Sequence, residues 1–460
     1  MNVLRAPARI NILGEHVDYV SYLPTASLPF GSREHEMTML FRASDDGELR
    51  GASMLERFPP FSFALGEEAV EDQSKQGWES FVFNRPAPAP HWGNYVKGAV
   101  CFARWKFGSG ISRGFHCLID STIPPNSGAS SSSALVVLAG AAIRLANQID
   151  YRLDELACDS SQAEWYLGTR GGALDHTAIS LAKRGCVVHI SHWDNRVELI
   201  PLPGEGLRWL TFFSHAADKG REVMLEYNER AAVSRHVIPA IIDDLKQGYA
   251  AFDNAWAEAR FKMKRDATAA CDDMEALLDL IPDAVTLNEF VRLCPAIFRG
   301  NETAFPELAR DRPLKLRDRA LHHLGEVRRV AQAVGWLRDA ASETEIDPAM
   351  RALGALINES HESLRDLYEV STPEVNRLIE VITSDPRVYG ARLMGGGFGG
   401  NVLALTSAEN AQPLIDRVQT EFYAPRGRDG AREGSVMVST PGDGLARLDV
   451  EAVLKSNDEG

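Results

Sequence analysis

The chain has 460 residues, 45% of them hydrophobic; that is enough for a substantial core and beyond the ~250–300 residues at which chains usually split into two domains. Forty-nine basic against 64 acidic residues leave a net charge of −15, which argues against binding nucleic acid or an anionic membrane, where affinity comes from neutralising phosphates. The six cysteines form no Cys-x-x-Cys pair and read as buried thiols, and the longest apolar run, Ala134 to Ile143, is too short to span a bilayer, so a cytoplasmic location is expected.

Leu4 to Asn11 reads as a strand running directly into Gly14-Glu15-His16-Val17-Asp18-Tyr19, and polar clusters at strand ends often carry function. These residues form either an ordinary salt-linked turn or a ligand site. Strand alternation would place His16 and Asp18 opposite Glu15, so all three face one ligand only if an irregular loop intervenes. Residues 44–91, punctuated by Pro59-Pro60 and by the prolines of 85–90, suggest surface hairpins and extended connections. Trp92 to Gly98 then opens a helix whose aromatics are either core residues or a platform for a base. Gly110-Ile111-Ser112-Arg113-Gly114 has the spacing of a hydrolase nucleophile elbow, but a helix precedes it and a strand follows, the reverse of what that motif requires.

Pro124 to Leu135 concentrates small residues between a strand, Phe115 to Ile119, and a helix marked by Leu135, Leu138, Ala139, Ala142 and Ala146. A helix N-terminus offers unpaired N–H groups and a positive dipole end, and small side chains let a phosphate approach them. A Ser-rich linker would not lead at once into a strongly apolar helix. No Gly-x-x-x-x-Gly-Lys-Ser/Thr string occurs, so this is not a P-loop. Leu153 to Leu167 is helical with Gly168 as its stop, and Gly171-Gly172-Ala173-Leu174-Asp175-His176 follows. Glu164 and Asp175 are either solvated surface carboxylates or a functional pair across that turn. Cys186 to Ile190 and Leu207 to Phe213 read as strands, and His189-x-x-His192 lacks the further ligands of a metal site. Residues 222–365 are mainly helical in periodicity. Tyr389 to Leu405 reads as strand, glycine loop, strand; because a strand follows, Gly395-x-Gly397-x-x-Gly400 is not a dinucleotide fingerprint. Residues 455–460 read as a frayed end.

Pro124-x-x-x-Gly128-x-Ser130-Ser131-Ser132-x-Ala134 resembles the central motif of the GHMP kinases, which phosphorylate small alcohols such as galactose, homoserine and mevalonate. Arg9, Asn11, Gly14, Glu15, His16, Asp18 and Tyr19 match the galactokinase signature Gly-Arg-Val-Asn-Leu-Ile-Gly-Glu-His-Thr-Asp-Tyr. The Trp92, Arg319, Asn358 and Tyr389 segments are similar to galactokinase segments and follow in the same order. On these residues the chain is identified as a galactokinase-like member of the GHMP kinase family.

The resemblance implies an α+β fold of two domains with the active site between them. Residues 1–205 would be ribosomal-protein-S5-domain-2-like and residues 206–460 ferredoxin-like. It implies transfer of the γ-phosphoryl group of ATP, with Mg²⁺, to the anomeric hydroxyl of a free aldose, galactose first. Asp175 and Arg9 would be catalytic, with Asp175 either a true base or an orienting anion. Glu15, His16, Asp18, Gly172 and Tyr227 would bind the sugar. Trp92, Tyr95, Ser127, Gly128, Ser130, Ser131 and Ser132 would hold the nucleotide, and Glu164 with Ser131 or Ser132 the metal. The expected partners are sugar and ATP alone, with the protein a monomer.

Several positions depart from the family pattern. Ala8 replaces the signature glycine, Asn126 the first glycine of the phosphate loop, and His176 the glutamine after the catalytic Asp. Val20-Ser21 stands where a glycine-bearing turn is usual, and Phe213-Ser214-His215-Ala216 where Thr-Asn-Ser is usual. These leave two alternatives open: a kinase for another aldose or a uronic acid, and a catalytically silent sugar and ATP sensor acting through a protein partner.

Overall fold

The computed structural model describes all residues except 75, 125–127, 204–205, 217–220, 301–309, 341–345, 428–434 and 450–460. Asn2–Asn11 is a strand buried along almost its whole length, and it pairs antiparallel with the long strand Pro29–Ser44. Their register shifts between Pro7 and Arg9, as expected where a proline cannot donate to the ladder. Ala8, at this shift, is fully buried and does not take a positive φ, so its methyl group is accommodated where the family signature has glycine.

These two strands lie within a seven-stranded sheet. Its order is Ala446–Leu448, Asn2–Asn11, Pro29–Ser44, Gly114–Ser121, Glu48–Ser53, Phe61–Ala64, with Pro441–Gly442 also paired to Pro29–Ser44. Only the pairing of Glu48–Ser53 with Gly114–Ser121 is parallel. Strands from the end of the chain thus complete the first sheet, which a division at 205/206 assigns to the other half.

The helices Gly93–Phe107, Ser131–Ala146, Leu153–Glu164 and Leu174–Leu181 pack together beside this sheet. Ser131–Ala146 is buried on nearly all sides, and Ala139 to Ala142 keep it thin enough for neighbours to close around it. Residues 44–91 are more regular than their composition suggests. Besides hairpin strands they contain the helix Gly77–Phe83, whose Trp78 is buried edge-on against Phe102 at 5.1 Å. Seven residues are too few for a helical period to stand out among the prolines around them.

A second, four-stranded antiparallel sheet runs Val388–Met394, Gly400–Ser407, Leu207–His215, Val436–Ser439. The helices Asp347–Asp366 and Pro373–Thr383 pack on it. A helical layer, including Arg221–Ala232 and Arg317–Ala340, buries Tyr19, Val20, Tyr22 and Leu23 in its own apolar cluster. The halves meet through a shared core in which Ile10, Ile12, Leu28 and Phe30 pack with Trp209, Leu353, Ile357, Met394 and Leu403. Such a joint holds the loop after the first strand in fixed relation to the second sheet. Of the cysteines, Cys101, Cys117, Cys271 and Cys294 are buried, but Cys186 is half-buried and Cys158, on the outer face of its helix, is exposed, which corrects the reading of all six as buried. Among the described residues, no helix is long and apolar enough to cross a membrane.

Candidate active site

Beyond Asn11 the backbone leaves the strand through Gly14 (φ 81°) and His16 (φ 58°), the irregular path that the polar cluster needs. A side chain in that left-handed region costs ~1–3 kcal/mol and persists only where its surroundings over-determine it. They do so here. The His16 ring stacks on Tyr368 at 4.7 Å, and its Nδ1 lies 3.2 Å from the Tyr19 hydroxyl. Gly14 N–H donates to Glu326 at 2.6 Å, and His322 Nε2 lies 3.1 Å from the Glu15 carbonyl oxygen.

The three polar side chains then part company. Glu15 turns inward, where its Oε2 accepts from Arg392 Nη2 (2.5 Å), Asn11 Nδ2 (3.1 Å) and Gly395 N–H (3.2 Å). Arg392 is fully buried on the strand Val388–Met394, and a buried guanidinium requires a carboxylate. Glu15, expected among the sugar ligands, commits that oxygen to locking the loop to the glycine hairpin. His16 stays near its ring partners; burial above all lowers its pKa to about 4, so it is neutral. Its Nε2 is buried without a partner among the described residues.

Asp18 accepts Leu174 N–H at 3.3 Å. A Cβ on Gly172 would come within 2.4 Å of the same carboxylate, so only glycine fits there. Burial first, and the charge of Asp175 second, push the Asp18 pKa up to about 6. Tyr227, on Arg221–Ala232, faces the His16 ring at 5.9 Å and borders Gly171 and Gly396. Its hydroxyl is raised by burial and by the charge of Asp18.

Asp175 lies in the first turn of the helix Leu174–Leu181 and is clasped from both sides. Arg9 places Nε at 2.7 Å and Nη2 at 2.6 Å from Oδ1, while the Ser130 hydroxyl donates to Oδ2 at 2.6 Å. Burial alone would raise the Asp175 pKa; Arg9, the Ser130 hydroxyl and neighbouring His176 outweigh it and hold the carboxyl below the ordinary range. The side chain of Asp175 remains 28% exposed, against 5% for Arg9, so the carboxylate has an open edge.

Ser130, expected to face phosphate, directs its hydroxyl to Asp175 from a left-handed backbone (φ 58°) just before the helix Ser131–Ala146. The Ser132 hydroxyl interacts with that of Tyr95, which burial and then the charge of Glu164 raise to about 12. Ser133 donates to Glu164 Oε2 at 2.9 Å. Among the described residues, the Ser131 hydroxyl alone of this run has no side-chain partner. Ser127, expected in the nucleotide set, and the departure at Asn126 lie outside the described residues.

Gly128 (φ 73°) and Gly395 (φ 91°) let the serine loop and the glycine hairpin touch. A Cβ on Gly128 would sit 3.2 Å from the Met394 carbonyl oxygen, and one on Gly395 3.3 Å from that of Gly128. Arg9 N–H also donates to the Ala129 carbonyl at 3.2 Å, tying the serine loop to the first strand. Trp92 is half-buried, edge-on to Phe61 at 4.9 Å, and donates Nε1–H to the Pro59 carbonyl.

Glu164 closes the helix Leu153–Glu164 with His176 Nε2 at 2.8 Å from its Oε2. Among the described residues no three His, Cys, Asp or Glu side chains converge as a metal cage. One carboxylate with serine hydroxyls nevertheless suits a hard cation that takes its remaining ligands from phosphates and water. Ser133, His176 and Arg392 were not among the residues singled out from sequence as site candidates. Arg392 carried a signal, as a charge within an otherwise apolar strand, and His176 did so as a departure from the family pattern; Ser133 carried none.

Three family profiles match the chain: GHMP kinases N terminal domain over residues 94–183, GHMP kinases C terminal over 340–424, and Galactokinase galactose-binding signature over 2–26. The chain is 26% identical to the galactokinase of Lactobacillus helveticus over 97% of its own length and 95% of that protein's. It is 27% identical to the galactokinase of Bos taurus, with 93% and 91% covered. Its fold is similar to that of Lactococcus lactis galactokinase solved with galactose, with a TM-score of 0.67 and 24% identity over 97% of this chain and 95% of that one. With the serine loop, the Arg9–Asp175 centre and the loop of His16 and Asp18 gathered at one place, these matches identify the chain as a galactokinase-like member of the GHMP kinase family.

Proposed function

We propose that the chain is a sugar 1-kinase that transfers the γ-phosphoryl group of ATP to the anomeric hydroxyl of galactose. The observation that carries this reading is Asp175, held ionised by Arg9 and Ser130 while one edge stays open between the serine loop and the loop of His16 and Asp18.

Phosphoryl transfer requires positioning and charge stabilisation more than strong base catalysis. The anomeric hydroxyl donates to Asp175; as its oxygen bonds to phosphorus, the proton passes to the carboxylate, and the bond to the bridging oxygen breaks with its electrons leaving on ADP. A carboxylate held below the ordinary range is a weak base, so it orients the hydroxyl first and takes the proton late. Arg9 keeps Asp175 charged, and its Nη1, buried without a partner among the described residues, is the donor for the transferring group. Asp18, His16 and Tyr227 bind sugar hydroxyls against Gly172, with Glu15 holding their loop. The N-terminus of Ser131–Ala146, with Gly128 and the Ser131 hydroxyl, receives the phosphates, and Tyr95 and Trp92 flank the nucleotide. Glu164 with Ser131 or Ser132 would hold magnesium, which supplies neutralisation of phosphate charge.

The placement of the departures favours galactose. Val20 is buried among the helices without a positive φ, His176 lies against Glu164, and the Ser214 hydroxyl donates to the Gly400 carbonyl at the base of the glycine hairpin. None of these contacts is with His16, Asp18 or Tyr227. The test is ADP release over a panel of free sugars. Galactose should exceed glucose, arabinose and galacturonate in kcat/KM by ~10⁴, as expected where a site leaves polar groups unpaired against the wrong hydroxyl pattern. Preference for galacturonate or arabinose would replace galactose in this reading, and absence of sugar-dependent ADP release would replace the enzyme by a sensor.

A further inference from the structure

Behind the sugar loop a row of hydrogen bonds leads from one buried tyrosine to His16. Tyr22 Oη lies 2.6 Å from His323 Nδ1, His323 Nε2 3.3 Å from Ser234 Oγ, and Ser234 Oγ 3.4 Å from Tyr368 Oη. Tyr368 Oη lies 2.7 Å from Tyr19 Oη, which lies 3.2 Å from His16 Nδ1. All of these side chains are buried. Tyr22 stands just past the departing turn Val20-Ser21, His323 on the helix Arg317–Ala340, Ser234 just after Arg221–Ala232 and Tyr368 just after Asp347–Asp366.

Such a row can run in two directions, and its far end selects one. Each hydroxyl has a single hydrogen, and burial above all keeps both histidines neutral, His16 with a pKa of about 4 and His323 well below the ordinary range, so each ring has one N–H. If His16 Nδ1 donated to Tyr19, every hydroxyl would pass its hydrogen on toward His323 Nε2, and His323 Nδ1–H would donate to Tyr22. The Tyr22 hydrogen would then be left inside an apolar cluster with no acceptor among the described residues. In the other direction Tyr22 donates to His323 Nδ1, and every hydrogen finds an acceptor up to His16 Nδ1. One unpaired buried donor disfavours the first direction about 5- to 150-fold.

We propose that Tyr22 and His323 are positioning residues for sugar recognition: the row they begin holds His16 in the Nε2–H form, so that its unpartnered edge donates to a sugar hydroxyl oxygen. The tautomer of an imidazole is set by the bond its other nitrogen makes. The inference rests on the sugar-kinase reading of the site. Its consequence is that the loop offers a donor and an acceptor together. His16 supplies only an N–H, whereas the ionised Asp18 carboxylate, also beside Tyr227, supplies only acceptor oxygens.

The experiment reads the His16 tautomer by long-range ¹H–¹⁵N correlation NMR of ¹⁵N-histidine-labelled protein, with His16→Asn for assignment, beside calorimetric binding of galactose and ATP. The proteins are wild type, Tyr22→Phe, Ser234→Ala and the double variant. Wild type should show Nε2–H alone. Tyr22→Phe keeps the ring and removes the hydrogen that selects the direction, so both tautomers should appear. Galactose affinity should then fall by about twofold, in proportion to the share of the competent form, with ATP affinity unchanged. Ser234→Ala ends the row at Tyr368, whose own hydrogen then has Tyr19 as its acceptor, so this variant and the double variant should both show Nε2–H alone. Restoration of a single tautomer by a second deletion is not what a packing defect at Tyr22 produces. Nδ1–H in wild type, one unchanged tautomer in Tyr22→Phe, or a mixture in either Ser234→Ala protein overturns the inference alone. A wild type that binds no galactose overturns it together with the sugar-kinase reading.

Discussion

Arg9 and Asp175, 166 positions apart in the chain, are joined by two contacts on a single oxygen, Arg9 Nε at 2.7 Å and Nη2 at 2.6 Å from Oδ1. The pair fastens the first strand to the helix Leu174–Leu181 and sets the ionisation of the carboxylate on which the proposed transfer depends. Asp175→Asn preserves the shape and removes the proton acceptor. Turnover should fall by at least about a hundredfold, while binding of galactose and ATP, measured calorimetrically, stays within about tenfold. Near wild-type turnover would show that Asp175 is no more than a spacer.

Glu15 and Arg392 make a different kind of pair. Both are buried, so removing one partner strands the other charge, at a cost of ~3–5 kcal/mol. Arg392→Met should lower unfolding stability by about that much. Melting unchanged by the substitution would mean that Glu15 finds its compensation elsewhere, and its assignment as a sugar ligand would regain ground.

Asp18 provides the pH dependence. Its pKa of about 6 lies above the ordinary carboxylate value because burial and Asp175 oppose its charge. The carboxylate is therefore lost as pH falls through 6, whereas Asp175, held low, stays ionised. The kcat/KM for galactose should decline on the acid side with a midpoint near 6. By the same sign, ionising Asp18 costs stability as pH rises from the ordinary carboxylate range toward 6 and above. Asp18→Asn should thus raise the melting temperature more at pH 7.5 than at pH 5 while impairing galactose use. A flat acid limb down to pH 5 would remove Asp18 from substrate binding.

In the proposed site Trp92 belongs to the nucleotide and not to the sugar, which makes the two substrates separable by substitution. Its ring rests edge-on against Phe61, one turn before Tyr95, whose hydroxyl meets Ser132. Trp92→Ala should raise the apparent KM for ATP severalfold more than that for galactose, since base stacking contributes ~1–3 kcal/mol. Equal effects on both substrates would place Trp92 in the core alone.

What could be read from the chain without coordinates was whatever is written in consecutive residues. The strand before Gly14, the helix that follows the serine loop, the Gly168 stop and the strand, glycine loop, strand at 388–407 are set by local spacing, and each appears in the structure. Directions of side chains were not legible. Glu15 turns inward because Arg392, 377 positions away, needs a charge partner. In the run Ser130 to Ser133 every residue offers the same hydroxyl, and only the left-handed Ser130 and the helical phase after it decide which meets Asp175, Tyr95 or Glu164. The helix Gly77–Phe83 was hidden for another reason, being short, bounded by loops and held mainly by one buried tryptophan.

The most direct test of the central claim is the position of the transferred phosphate. Phosphorus and proton NMR of the product formed from ATP and galactose should show phosphorus coupled to the anomeric proton, with Asp175→Asn giving no product under the same conditions. Phosphate on any other carbon, or tight binding of both substrates by the wild-type protein with no phosphorylated sugar formed, would contradict it.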